Sequence, residues 1–156
     1  RTQAQDFINT YFREFAKIRE WQEETKLEAR RLGYVKTLTG RRRYLLGINS
    51  LAPYVMAEAE RSAINQPLQG LGADIIKMAM IEVDKKIKKK GWEDGRLKMI
   101  LSIHDELLFE VRDDMIQEAS EAVREIMEGV FKLSVPLKVD VSSGKDWGNL
   151  IKLKNK

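Results

Sequence analysis

SIHDELLFEV, residues 102–111, places the chain's only histidine and two adjacent carboxylates, His104, Asp105 and Glu106, between two apolar runs. The runs themselves, LKMILSI and LLFEV, read as strands joined by a tight turn. Taking Asp105-Glu106 as a two-residue turn pairs His104 with Leu107, Ser102 with Phe109 and Ile100 with Val111. Such a turn ordinarily takes Asn-Gly or Asp-Gly, because its central residues need positive φ. Asp-Glu breaks that rule inside a segment that is otherwise locally consistent, and breaks of this kind concentrate at functional or strained positions. One reading is that the acids merely solubilise a surface turn. The other is that paired oxygen donors at a strand end hold Mg²⁺, which neutralises phosphate charge and activates a hydroxyl. His104 fits a hydrogen-bonding role as well as a ligand role, since a hard cation prefers oxygen.

Working outward, the apolar positions Phe7, Ile8, Tyr11, Phe12, Phe15, Ile18 and Trp21 recur at three- and four-residue steps. They predict one amphipathic helix, running to Leu32 and stopping at Gly33, whose aromatic stripe faces the core or, in a truncated chain, stands as an uncovered patch that drives self-association. GYVKTLTGRRRYLL places β-formers on either side of Thr39-Gly40, the pattern of a hairpin that carries Arg41, Arg42 and Arg43. Helical periodicity resumes from Tyr54 to about Lys90, where Pro67 lacks an amide hydrogen and predicts two helices or a kink. DDMIQEASEAVREIMEGVF reads as a helix with Asp113 or Asp114 as its N-cap. VPLKVDV reads as a last strand, and the lysine-rich tail beyond Trp147 as loose. Strands that do not alternate regularly with helices point to an α+β fold, an antiparallel sheet with helices packed on one face.

At 156 residues the chain is long enough for one core that buries roughly 70% of the unfolded surface. Twenty-eight basic and 24 acidic residues give a net charge of +4, which fits a polyanionic partner. The absence of cysteine excludes disulfides and thiolate metal sites and points to a reducing, intracellular compartment. No apolar run approaches the ~20 residues needed to cross a bilayer, and RTQAQDF does not read as a signal peptide. The opening arginine carries the expectation that the native polypeptide starts further upstream.

Arg61, Asn65 and Gln69 recur every four residues and share one arc of about 80° on a continuous helix. A cation and two amides on one face can meet phosphates and base edges, or simply form a polar helix face. The three hairpin arginines divide the same way, between template phosphates and solvent. Lys85, Lys86, Lys88, Lys89 and Lys90 read as a solvated helix end, favoured by the helix dipole.

Four segments then carry a resemblance. SIHDELLFEV resembles motif C of the family A DNA polymerases, the bacterial DNA polymerase I type, and AERSAINQPLQGLGADIIKMAM is similar to that family's R-x-x-x-N-x-P-x-Q-G-x-x-A-D segment. GYVKTLTGRRRY is similar to its G-Y-V-x-T-L-x-G-R-R-R hairpin, and SVPLKVDVSSGKDW also fits, so the resemblance covers nearly the whole chain. The resemblance implies a nucleotidyltransferase that adds deoxynucleoside triphosphates to the 3′-hydroxyl of primer-template DNA, in replication and repair, with two Mg²⁺ ions. It implies that Asp105 holds the metals and Glu106 assists, that His104 lies at the primer end, and that Arg61 and Asn65 lie near the primer-template. Gln69 then sits on the minor-groove side of the nascent pair, Arg41, Arg42 and Arg43 lie along template phosphates, and Gly70 and Gly72 allow close backbone approach. Gly72 stands where the family often has Ala, and Asp74 matches the family's acid while reading equally well as a structural helix residue.

The resemblance further implies one fragment, 1–156, of a polymerase domain: 1–52 on the fingers side and 53–156 on the palm side. No counterpart of D-Y-S-Q-I-E or of K-x-x-x-F-G-x-x-Y-G occurs in these residues. The second metal-binding carboxylate and the triphosphate-gripping helix are therefore expected upstream, as a missing partner, with the fragment inactive alone and the whole enzyme cytoplasmic beside the nucleoid. Two rival functions stand beside this one. A non-catalytic basic module would bind DNA with strong salt dependence and be indifferent to Asp105. A small metal-dependent hydrolase would have to recruit acids such as Asp140 or Asp146.

Overall fold

A computed structural model describes residues 2–153. Helices and antiparallel strands mix as expected, in two compact units, 1–71 and 72–156, each with its own buried cluster. The single core expected from length is thus replaced by two, and the compact units divide within a helix after Leu71. The reason lies in that helix, whose two ends bury different side chains.

In the first unit, α1 (Thr2–Glu14) and α2 (Ala16–Leu32) replace the one predicted helix. The break falls at Phe15, whose φ of −115° and ψ of 55° leave the helical region while its ring lies 5.0 Å from that of Tyr11. Of the two readings of the aromatic stripe, the core is the one that fails: Phe7 is 78% and Phe15 53% exposed. Gly33 ends α2 as anticipated: at φ 75° it donates its N–H to the Ala29 carbonyl at 2.8 Å, a left-handed cap that L side chains resist. Strands β1 (Tyr34–Lys36) and β2 (Arg42–Tyr44) follow, paired Tyr34 with Tyr44, Val35 with Arg43 and Lys36 with Arg42. Between them the Gly40 N–H closes on the Thr37 carbonyl at 2.9 Å with Gly40 at φ 89°, the three-residue loop that needs glycine at its end. Val35, Leu45 and Ile48 then bury against Ala29, Ala59 and Ala63.

Ala59 and Ala63 belong to α3 (Pro53–Lys90), which is assigned without interruption through Pro67. The predicted division into two helices does not occur; the proline removes one intrahelical donor while the turns on both sides remain bonded. α3 ends in the second unit on a double cap, Trp92 N–H to the Ile87 carbonyl at 3.0 Å and Gly91 N–H to Lys88 at 3.1 Å, with Gly91 at φ 63°. This Schellman arrangement brings Trp92 and Ile87 into one core with Val83, Leu97, Ala119 and Val123.

The second unit adds β3 (Leu97–Ile103), β4 (Glu106–Val111), a short 3-10 turn at Asp113–Met115 and α4 (Ile116–Gly129). No aspartate side chain caps α4; Asp113 pairs with Lys145 at 2.5 Å, and Asp114 accepts from Nε and Nη2 of Arg112, at 2.5 and 2.7 Å. The strand expected at residues 135–141 does not form: Val135 lies in a bend, and the Val139 N–H goes to the Glu128 carboxylate at 2.9 Å and not to a neighbouring strand. Pro136 offers no donor, and pairing begins only at β5 (Ser142–Ser143) with β6 (Ile151–Lys152). The tail expected to be loose is thereby tied down as far as Leu153, whose N–H meets the Val141 carbonyl at 2.8 Å. The described strands thus form three two-stranded ribbons and not one sheet.

Trp92 is 4% and Trp147 57% exposed, so the two tryptophans should answer truncation differently. Trp92→Ala is expected to cost about 3–5 kcal/mol in urea unfolding, and Trp147→Ala to stay within about 0.5 kcal/mol. Arg112 holds the Asp114 carboxyl below the usual aspartate range through their hydrogen bonds and charge. A depressed carboxylate stabilises above its unfolded value and loses that contribution as pH falls through its folded value. Carboxyl NMR titration should therefore show Asp114 moving upward, toward ordinary aspartate, in Arg112→Gln.

Candidate functional site

The acidic turn is built by the β3–β4 ribbon. Its register is Leu97 with Val111, Lys98 with Glu110 and Met99 with Phe109, then, after a bulge that leaves Ile100 unpaired, Leu101 with Leu108, Ser102 with Leu107 and Ile103 with Glu106. The expected pairing is corrected by this register: the turn residues are His104 and Asp105, one position earlier than predicted. The cause is visible in the backbone, where His104 is the one non-glycine residue with positive φ among those described, at 52°. A hairpin turn can place positive φ at its first central residue alone, so His104 and not Asp105 absorbs the unfavourable conformation. Histidine is among the residues enriched there.

Phe109 and Val111 hold the ribbon on the core of Ile87, Trp92, Ala119 and Val123. The opposite face is apolar too, and Ile100 and Leu101 are nearly half exposed. His104, Asp105 and Glu106 are all exposed at the tip. The donors are hard oxygens, as Mg²⁺ requires, but among the described residues no three His, Cys, Asp or Glu side chains gather into a ligand set. The turn therefore fits part of a divalent-cation site. Asp140 and Asp146, which a hydrolase would have to recruit, are engaged elsewhere. Asp140 pairs with Lys152 at 2.8 Å, and Asp146 accepts the Gly148 N–H at 3.0 Å and the Asn149 amide at 2.9 Å.

The first unit holds Arg61, Asn65, Gln69, Gly70 and the three hairpin arginines, while Gly72 and Asp74 fall in the second. Arg61, Asn65 and Gln69 are exposed on the unbroken α3. The three hairpin arginines, alike in sequence, differ in surroundings. Arg41 donates from its guanidinium to the Gly70 carbonyl at 2.6 Å. Arg42 lies over the Tyr34 ring, 4.8 Å from its centre. Arg43 lies opposite Val35, and all three arginines border a cleft of about 150 Å³ that Lys36, Gln66 and Gly70 also line.

Gly70 is buried, and a Cβ there would meet Thr37 Cγ2 at 2.6 Å, so the close approach it permits is to the chain's own hairpin. At Gly72 nothing lies within 4 Å. Thr37, 6% exposed, was not singled out by sequence reasoning. Its signal was present in the T-L-T-G loop, where the Thr37 hydroxyl lies 2.7 Å from that of Thr39 and accepts the Arg41 N–H at 3.2 Å.

A family model described as "DNA polymerase family A" matches residues 1–149. The chain is 42% identical over 145 residues to "DNA polymerase I, thermostable" of Thermus aquaticus, covering 93% of this chain and 17% of that protein. It is 40% identical over 147 residues to DNA polymerase I of Pseudomonas aeruginosa, covering 94% of this chain and 16% of that one. Its fold matches the POL domain of Pol1 from M. smegmatis, solved in complex with DNA primer-template and dNTP, with a TM-score of 0.82 and 42% identity over 88% of this chain and 24% of that one. The chain thus spans about one-sixth of the length of these curated relatives, and by sequence and fold together it belongs to the family A DNA polymerases.

Proposed function

We propose that this chain serves template-directed DNA synthesis, providing the acidic turn and part of the DNA-contacting surface of a DNA polymerase. The reaction joins a primer 3′-hydroxyl to the α-phosphate of a deoxynucleoside triphosphate and releases pyrophosphate. The observation that carries the reading is the exposed His104-Asp105-Glu106 tip, raised on a ribbon whose other end is anchored in a packed core. Support comes from the solved relative, which holds primer-template and dNTP.

Asp105 is the metal-holding carboxylate and Glu106 its weaker neighbour. The remaining ligands come from a polymerase segment outside these 156 residues. Mg²⁺ bound there supplies charge neutralisation at the phosphates and a more acidic primer hydroxyl. His104 hydrogen-bonds at the primer end. Arg61 and Asn65 lie along the primer-template, and Gln69 reads the minor-groove side of the nascent pair, where acceptors are shared by all base pairs and contact checks shape more than sequence. Arg42 and Arg43 meet template phosphates. In this reading residues 1–52 stand on the fingers side and 53–156 on the palm side, and the enzyme works on the chromosome in the cytoplasm. No helix among the described residues is long and apolar enough to cross a membrane.

Primer extension with Mg²⁺ tests the reading. The chain alone is expected to extend nothing. In the complete polymerase, Asp105→Asn should lower turnover at least about a hundredfold, since outer-shell partners of a metal already cost about 10–100-fold, while primer-template affinity stays close to the parent's. A near-normal rate would remove Asp105 from the chemistry. Arg61→Ala should weaken primer-template binding and flatten the log–log salt dependence by about 0.9, the value of one phosphate contact.

A further inference from the structure

Three arginines in a row on a DNA-binding hairpin invite one role for all three, yet the structure separates them. Residues opposite one another on an antiparallel pair share a face, so Arg43 lies on the Val35 side and Arg42 on the Lys36 side. Beyond the strand ends, Thr37 and Arg41 are joined by the Thr37 N–H to Arg41 carbonyl bond at 2.9 Å. Val35 and Thr37 are buried, and Arg41 reaches across to Gly70, 29 residues away in sequence.

The contact with Gly70 has two halves that need each other. The absence of a side chain at Gly70 lets Thr37 come against α3, where a Cβ would lie 2.6 Å from Thr37 Cγ2 and 3.4 Å from the Arg41 guanidinium. The guanidinium then donates to the Gly70 carbonyl at 2.6 Å, a charge-assisted bond of the stronger kind. The Thr37 hydroxyl takes the Arg41 amide at 3.2 Å and so fixes the backbone from which that side chain departs. The residue preceding the accepting carbonyl is Gln69, and Asn65 lies one turn earlier on the same helix.

We propose that Arg41 is a positioning residue and not a DNA ligand: with Gly70 and Thr37 it latches the hairpin to α3, so that Arg43 on one element and Asn65 and Gln69 on the other meet the duplex as a single surface. The proposal rests on the DNA-binding reading above and deepens it. It reassigns Gly70 as well, from contact with the nucleic acid to contact within the chain. A latch raises affinity by pre-organisation, because binding no longer has to order the hairpin against the helix. It releases no counterion of its own.

That difference is measurable with a fluorescent primer-template, this chain and a KCl series. Arg43→Met, the loss of a phosphate contact, should flatten the slope of log affinity against log salt by about 0.9. Arg41→Met and Gly70→Ala should each weaken binding roughly 2- to 30-fold with the slope unchanged. Combining them should add little to either alone, since both break one contact. In parallel, the amide hydrogens of Thr37 and Gly40 should exchange faster in Arg41→Met while its circular dichroism matches the parent. A slope lowered by about 0.9 in Arg41→Met, with exchange unaltered, would make Arg41 an ordinary phosphate contact and overturn the latch. If Gly70→Ala does not fold, Arg41→Met carries both readouts. Should the parent chain not bind primer-template at all, the functional reading fails, and amide exchange alone decides: acceleration upholds the latch, and its absence ends it.

Discussion

Alanine and glycine on α3 set how closely the chain can approach itself, and the first unit depends on that. Ala59 and Ala63 sit in the buried cluster with Val35, Leu45 and Ile48, and Gly70 receives Thr37. A larger side chain at these points would hold the hairpin away from the helix, since packed interiors have little slack to absorb added volume. Further along, α3 carries Val83 and Ile87, which pack with Trp92, Leu97, Ala119 and Val123. One helix therefore supplies small residues where backbone must come close and branched residues where a core must be filled.

Much of this was readable from the residues. The Gly33 stop, the hairpin around Thr39-Gly40, the strands on either side of the acidic turn and the helix that follows all have local causes, a left-handed cap, a turn glycine or a hydrophobic period. What failed depended on partners distant in sequence. The stripe of Phe7, Tyr11 and Phe15 has helical spacing whether or not anything covers it, so periodicity could not say that it would be open. Residues 135–141 have strand composition, but a strand exists only where another pairs with it. Pro67 argued for two helices or a kink, and α3 runs on as one helix that absorbs a missing donor within 38 residues.

At the candidate site the residue types were legible and their backbone was not. Asp105-Glu106 stands at the boundary between two apolar runs and reads as the turn despite its poor fit to one, whereas the positive φ falls on His104 and shifts the register. The equivalence of Arg41, Arg42 and Arg43 was likewise a property of the string alone. Strand alternation sends Arg42 and Arg43 to opposite faces, and the contact between residues 41 and 70 shows that Arg41 is occupied inside the chain.

The anchoring of the β3–β4 ribbon has a consequence for where damage to the acidic tip can originate. A hairpin of six- and seven-residue strands is marginal in water by itself, so the tip holds its direction only as firmly as Phe109 and Val111 grip the helices beneath them. Val123, on α4 and remote from the carboxylates along the chain, is one of the floorboards under that grip. Shortening it would let the tip wander without touching a charged atom, and a lesion of that sort would look chemical in an assay while being mechanical in origin.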